Sequence, residues 1–331
     1  MNIVVPIEAP PRDAAPPTST APSLGTEREI WADRRRMMER RPCDVGPDGR
    51  RSQWRSRVFA VGVTVFAAVA KLVGLAAPGR RNALAPRLVE RVFAFADLPP
   101  AFDGYRILHL SDTHLDILPE LAVVAGAMLA ELEIDLLVLT GDVHGHHRAP
   151  LKHSVAPLAA MLEGVRPRDG YIGVLGNHDP AEMAEVLEGM GFAMLINGST
   201  VLERGAERLI LTGLDDVHRF FTPAARAALN EAPPGFRVAL VHSAEMADFA
   251  AAEGYALYLC GHTHGGQFCL PGGRPIVTHL RRCRFGARGE WRSGRMVGYT
   301  STGLGVSGAP LRYNCTGEMA VITLRRGGAK G

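Results

Sequence analysis

The sequence predicts an α/β sandwich, two facing β-sheets flanked by helices, on three observations. Between Arg106 and Met190, short apolar runs alternate with helical patterns, the rhythm of helices packed on a largely parallel sheet. Beyond that stretch, strand-like runs predominate and need a second sheet to hold them. With 331 residues, 47% of them hydrophobic, the chain can bury such a core as one large domain or two small ones.

The first fifty-odd residues are rich in Pro, Arg and Ser and poor in periodic apolar positions. Such a stretch cannot repay its ordering entropy, which predicts a disordered basic, Pro-rich tail over 1–56 with at most a short helix around Glu27–Arg40. Val58–Ala77 (VFAVGVTVFAAVAKLVGLAA) is the most apolar segment and about long enough to span a bilayer. Lys71, two glycines and many alanines make it a borderline span, so three placements stay open: across a membrane, in its interface, or packed on the protein. The polar stretch ahead of it is too long for a signal peptide. Arginines on both sides, among them Arg57, Arg80, Arg81, Arg87 and Arg91, give no orientation by the positive-inside rule. Residues 57–88 are therefore expected to be a membrane-associated helix and linker, with cytoplasmic placement as the alternative. The folded domain is expected over 89–327.

Within that domain the elements come in order. RILHL reads as a buried strand and PELAVVAGAMLAELE as an amphipathic helix. DLLVLT is a second strand, followed by a helix near Leu151–Glu163. YIGVL is a third strand and AEMAEVLEGM a third helix. AMLIN, TVLERG and RLILTGL suggest a meander, Pro223–Asn230 a helix, and RVALVH, ALYLCGH, RMVGYTST and EMAVITLR further strands.

A net charge of +3 leaves no nucleic-acid footprint. The five cysteines (Cys43, Cys260, Cys269, Cys283 and Cys315) form no CxxC pair and suit free thiols; a Cys269–Cys283 disulfide is the alternative in an exported domain.

Polar residues fall at the ends of the apolar strands. Asp112 and His114 follow RILHLS, Gly141-Asp142 follows DLLVLT, and Gly176-Asn177-His178-Asp179 follows YIGVL. His242 follows RVALV, and Gly261-His262-Thr263-His264 follows ALYLC. Taken singly, each has a mundane reading: a helix cap, a turn, a structural histidine. Together, five strands deliver donors at their carboxyl ends, where α/β sheets place ligand sites. Imidazole, carboxylate and amide donors suit Mn²⁺, Fe²⁺ or Zn²⁺ better than an all-oxygen calcium cage.

This order of motifs, D-x-H, G-D, G-N-H-D, H, G-H-T-H, resembles the calcineurin-like metallophosphoesterase superfamily from Asp112 to His264. HTHGGQ, LPGG and STGLGVSGAPLRYNC resemble its bacterial membrane-associated branch, in which UDP-2,3-diacylglucosamine is hydrolysed during lipid A synthesis. The resemblance implies a four-layered α/β/β/α sandwich and a dinuclear metal centre. Asp112, His114 and His264 would hold one metal, Asn177, His242 and His262 the other, and Asp142 would bridge them about 3.5–4 Å apart. It also implies attack on phosphorus by a water activated between the metals. His178 would serve the leaving group, with Asp179 orienting it or stabilising the turn. No covalent nucleophile is needed.

Other residues carry weaker expectations. His144, His146 and His147 could touch phosphate or metal at the rim, or be a polar loop. Arg312 and Asn314, with the Gly303–Gly308 loop, are expected to contact substrate, and Phe220-Phe221 could line an acyl-chain entrance or be core. No large helical lid is evident between Asp179 and His242. A cell-envelope phosphodiester or phosphomonoester is therefore the alternative substrate. A non-catalytic metal-binding scaffold and a nuclease are the rival functions; the complete ligand set argues against the first and the near-neutral charge against the second.

Overall fold

The computed structural model describes residues 24–41, 43–146 and 149–327. The chain runs α1 (Leu24–Glu39), β1 (Cys43–Gly46), β2 (Gly49–Ser52), α2 (Trp54–Leu72), α3 (Ala76–Ala83), β3 (Arg87–Phe95) and β4 (Arg106–Leu110). It continues through α4 (Glu120–Leu129), β5 (Leu136–Thr140), α5 (Lys152–Leu162), β6 (Tyr171–Val174), α6 (Glu182–Gly189) and β7 (Phe192–Met194). Then come β8 (Gly198–Arg204), β9 (Glu207–Gly213), α7 (Pro223–Asn230), β10 (Phe236–Leu240), α8 (Ala247–Ala252) and β11 (Leu257–Cys260). The last three are β12 (Gly289–Ser293), β13 (Met296–Thr300) and β14 (Glu318–Arg326).

Two six-stranded mixed sheets face one another, ordered β3-β14-β4-β5-β6-β7 and β12-β13-β11-β10-β9-β8. β4 to β7 are mutually parallel, as are β9, β10, β11 and β13. β14 enters between β3 and β4, parallel to the first and antiparallel to the second.

Period-2 geometry explains the layers. In β4, Ile107 points between the sheets while Leu108 points outward; in β5, Leu136 and Val138 point in, Leu137 and Leu139 out. The inward set meets Leu211, Val238 and Leu259 of the second sheet. The outward set is covered by Leu121, Leu158 and Leu187 from α4, α5 and α6. The far face of the second sheet packs Ala239 and Tyr258 on Leu229 of α7 and Ala250 of α8. Strands buried on both faces read as continuous apolar runs because neither face meets water. The result is the expected α/β/β/α sandwich.

The amino-terminal region departs from expectation. Residues 1–23 lie outside the described residues, but from Leu24 the segment expected to be a tail is ordered. Trp31 Nε1 donates to Asp215 Oδ2 at 2.7 Å, and Val45 exchanges backbone hydrogen bonds with Arg219 and Phe221 at 2.8 and 2.9 Å. Arg51 reaches the buried Glu245 at 2.9 Å. Long-range polar pairs order this stretch, which its low apolar content could not reveal.

Among the described residues no single helix is long and apolar enough to cross a membrane. Residues Ala60–Leu72 of α2 and Ala76–Ala83 of α3 pass that test only as a pair, bent by 115°. All five cysteines are free.

Candidate metal centre

The carboxyl ends of β4, β5 and β6 from one sheet and of β10 and β11 from the other open onto a common edge, and all seven expected ligands meet there. Asp112, His114 and His264 form one group, and Asp142, His242 and His262 a second; within each, one donor atom per residue lies within 4.8 Å of the others. Asp142 Oδ2 approaches His242 Nε2 to 3.2 Å and His114 Nε2 to 3.7 Å, so it sits between the groups. Asn177 Oδ1 is 3.1 Å from His242 Nε2.

The backbone turns abruptly to bring these side chains together. Asp112, His114, Asp142, His262 and His264 all have positive φ, between 39° and 72°. That conformation costs roughly 1–2 kcal/mol per residue with a side chain, and such strain concentrates at functional sites. Hydrogen bonds help hold it: Asp112 N–H donates to Gly141 O at 2.9 Å, and His262 N–H to Asp112 Oδ2 at 2.9 Å. Two glycines are obligatory for close approach. A Cβ at Gly176 would strike the Asp142 carboxylate, and one at Gly261 would strike Ser111 and Asp112.

The imidazoles are pre-oriented. His242 Nδ1 donates to Thr140 O (2.8 Å), His114 Nδ1 to His144 O (3.0 Å) and His178 Nδ1 to Gly145 O (3.0 Å). Locking Nδ1–H onto a carbonyl turns Nε2 toward the centre, the arrangement metal-binding histidines use; at His242 and His114 a cation would take the place of any Nε2 proton. Among the described residues, His114 Nε2, His262 Nε2 and His264 Nδ1 are buried with no hydrogen-bond partner. Unpartnered buried nitrogens are costly, and a divalent cation is the group that would satisfy them together with the carboxylates.

Electrostatics follow the same geometry. Burial would raise Asp142, but His242, His178 and His114 hold it well below the ordinary carboxylate range. Asp112 is pushed up to about 6, chiefly by burial. Burial would lower His242, yet Asp142 and Asp112 overrule it and hold the imidazole at about 10. Burial drives His262 and His264 well down, keeping them as neutral ligands.

Asp179 does something other than orient His178. Its carboxylate accepts from the backbone N–H groups of Asp142, Val143, His144 and Gly176 at 2.7–3.0 Å. It ties the loop after β5 to the loop after β6, the turn-stabilising alternative.

The centre floors a cleft of about 740 Å³, which His178, Asn177, His262 and His264 line. Its opposite wall is α2, through Arg57, Ala60, Val63, Thr64 and Ala67. His146 is exposed at the rim, whereas His144 is buried against Ser154 at 3.1 Å; His147 lies outside the described residues.

The two expected substrate contacts are elsewhere. Arg312 is fully buried, with its guanidinium hydrogen-bonded to the carbonyls of Thr302, Gly303, Gly305 and His264. Those bonds consume the donors a phosphate would need. Asn314 donates to Cys269 O at 2.9 Å and does not line the cleft. Phe220 is buried beneath Arg35, 4.2 Å from its ring centre, and Phe221 packs in the α7–α8 layer, so neither forms an entrance.

Three residues escaped sequence reasoning. The His218 ring lies 4.2 Å from that of His262 and His279 lies 6.5 Å away; both line the cleft. His218 follows β9, so the strand-end rule that found the other ligands could have flagged it. Arg35 of α1 is ion-paired to Asp215 and donates to Gly176 O and Asp179 O, both at 2.7 Å, bracing the turn that carries Asn177 and His178. Nothing local distinguished it from the other arginines of α1.

Comparison with known proteins agrees with this geometry. The sequence model of the calcineurin-like phosphoesterase family matches residues 105–266. The chain is 29% identical over 288 residues to the uncharacterised metallophosphoesterase YkuE of Bacillus subtilis, spanning 81% of this chain and 97% of that one. It is 27% identical over 230 residues to the phosphodiesterase YaeI of Escherichia coli, spanning 66% and 82%. It is 28% identical over 294 residues to a zebrafish transmembrane protein with a metallophosphoesterase domain, covering 82% of this chain but 63% of that protein.

Proposed function

Starting from a chain whose residues 105–266 form a calcineurin-like phosphoesterase domain, and which is therefore a hydrolase of phosphoester bonds, we propose that it cleaves a phosphate ester or pyrophosphate of a lipid-linked substrate at two divalent metals. The observation that carries the reading is the convergence of two buried donor groups on Asp142.

In this reading Asp112, His114 and His264 would hold one metal, and Asn177, His242 and His262 the other, with Asp142 shared by the two groups. Metals of the Mn²⁺, Fe²⁺ or Zn²⁺ type would supply Lewis acidity for the phosphoryl oxygens and for the attacking water. The protein supplies the rest. Carbonyl-anchored imidazoles fix the donors before substrate arrives, and the Asp179 clamp keeps the Asp142 and Asn177 loops in register. His178, anchored through Nδ1–H to Gly145 O, presents Nε2 to the departing oxygen, to which it gives a proton or a hydrogen bond. The partly apolar wall of α2 gives the non-reacting part of an amphiphile a surface to lie on.

The preferred substrate is a nucleotide-linked lipid precursor such as UDP-2,3-diacylglucosamine, which places the protein at a cell membrane in lipid A biosynthesis. The apolar α2 and the resemblance of the HTHGGQ and STGLGVSGAPLRYNC segments support it. A cell-envelope phosphodiester is the second reading, supported by the likeness to a protein named as a phosphodiesterase. Assay with Mn²⁺ of UDP-2,3-diacylglucosamine beside simple diesters separates the two. Asp142→Asn is expected to cut Mn²⁺-dependent hydrolysis of bis(p-nitrophenyl) phosphate by more than about 100-fold; unchanged turnover would remove Asp142 from the centre.

A further inference from the structure

The helix that walls the cleft has two unlike faces. At 3.6 residues per turn, Trp54, Val58, Val61, Val65, Val69 and Leu72 fall on one stripe of α2, and Ala60, Val63, Ala67 and Ala70 on the opposite one. The second stripe is committed to the protein: Ala60, Val63 and Ala67 line the cleft, and Val63, Ala67 and Ala70 pack with Ala309 and Leu311. The first stripe is in solvent, with Val58, Val61, Val65, Val69 and Leu72 each between 51% and 86% exposed. In the bend that follows, Val73 and Leu75 extend the exposed apolar surface. A contiguous exposed stripe of this kind marks an interaction surface.

Charge identifies its occupant. No Asp or Glu occurs between Gly49 and Val89, while Arg50, Arg57, Lys71, Arg81 and Arg87 in that span are exposed. An apolar stripe flanked by cations and free of anions matches the interface of a bilayer with anionic headgroups. A spanning placement fits poorly. One side of α2 is packed along the enzyme, and the chain then bends by 115° into α3.

We propose that α2 lies in the surface of an anionic bilayer with its outer stripe in the lipid, while its inner stripe forms the wall along which a membrane-resident phosphoester reaches the metal centre. The substrate class is an amphiphile whose phosphate enters the cleft while its chains stay at the bilayer. Only this substrate assignment rests on the phosphoesterase reading; the docking surface stands apart from it.

The test uses the full chain and vesicles of phosphatidylcholine, alone or mixed equally with phosphatidylglycerol. Wild type is expected to sediment with the mixed vesicles, several-fold less with phosphatidylcholine alone, and to be released by alkaline carbonate. The variant Val61→Gln/Val65→Gln/Leu72→Gln is expected to bind at least tenfold more weakly with an unchanged unfolding midpoint. Its turnover of hexadecyl p-nitrophenyl phosphate carried in the vesicles should fall at least tenfold relative to its turnover of soluble bis(p-nitrophenyl) phosphate. Equal binding by variant and wild type overturns the proposal. So does a wild type that ignores vesicles, including one whose stripe is covered by a second copy and dimerises. Retention through carbonate would mean a spanning helix and overturn the in-plane placement. Vesicle binding without hydrolysis of either ester by wild type would sink the phosphoesterase reading and leave the docking surface standing.

Discussion

Arg35→Met should be disproportionately damaging for a residue so far from the metal ligands in sequence. The guanidinium is 1% exposed, pairs with an Asp215 side chain 6% exposed, and stacks 4.2 Å from the Phe220 ring centre. Methionine preserves much of the volume but removes the charge and the donors to Gly176 O and Asp179 O. Breaking one side of a buried ion pair strands the other, at a cost of about 3–5 kcal/mol; burial already raises Asp215, so its charged form depends on the partner. Urea denaturation should register that loss. The carbonyls it releases flank Asn177 and His178, and displacing a positioned group by about 1 Å can cost ~100-fold in rate, so kcat with bis(p-nitrophenyl) phosphate should fall by roughly 10–100-fold. Arg35→Met/Asp215→Asn should recover part of the stability, because no charge is stranded, but not the turnover. A single variant within about 1 kcal/mol of wild type and with unchanged kcat would refute the bracing argument.

Two other outcomes follow from the same geometry. His178→Ala should retain its metals by elemental analysis, since the ring is not among the grouped donors, while losing about 10²–10⁴-fold in kcat; normal turnover would remove His178 from the chemistry. Glu245 gives a pH test. Burial would raise it, but His218, the Arg281 N–H and Arg51 overrule burial and hold it at about 2, against an ordinary 4.5. A depressed carboxylate stabilises above its unfolded value and loses that contribution as pH falls toward its folded one, so about 3 kcal/mol should vanish between pH 4.5 and 2. The stability gap between wild type and Glu245→Gln, measured by denaturation at several pH values, should close over that window; a gap independent of pH would refute the network.

Legibility from sequence followed the locality of the signal. The central strands announced themselves because both faces of β4 and β5 are dry, and the ligands because each sits just past such a strand. Arg312 misled for the complementary reason: an arginine in a Gly-rich loop looks like an anion contact, and only tertiary structure reveals that backbone carbonyls have claimed it. Asp179 was half legible, since its place beside His178 was visible but its four amide partners lie on two loops. The helix around Glu27–Arg40 was expected and is α1, but its docking on the domain and the β1–β2 pair were missed, because Trp31, Arg35 and Arg51 find their partners well over a hundred residues away. β12 and α8 gave too little periodicity to register.

The position of β14 has a consequence for how the chain acquires its structure. Among the described residues β3 pairs within its sheet only with β14, and β4 gains its second neighbour only from that strand, so the interior of the first sheet stays open across roughly two hundred intervening residues. High contact order of this kind slows folding and leaves unpaired strand edges exposed meanwhile. During synthesis β4, which leads directly into Asp112 and His114, must wait for the last described strand before its ladder is complete. Metal capture should therefore be a late event, and a chain interrupted ahead of Glu318 should be prey for chaperones and proteases rather than a slower enzyme.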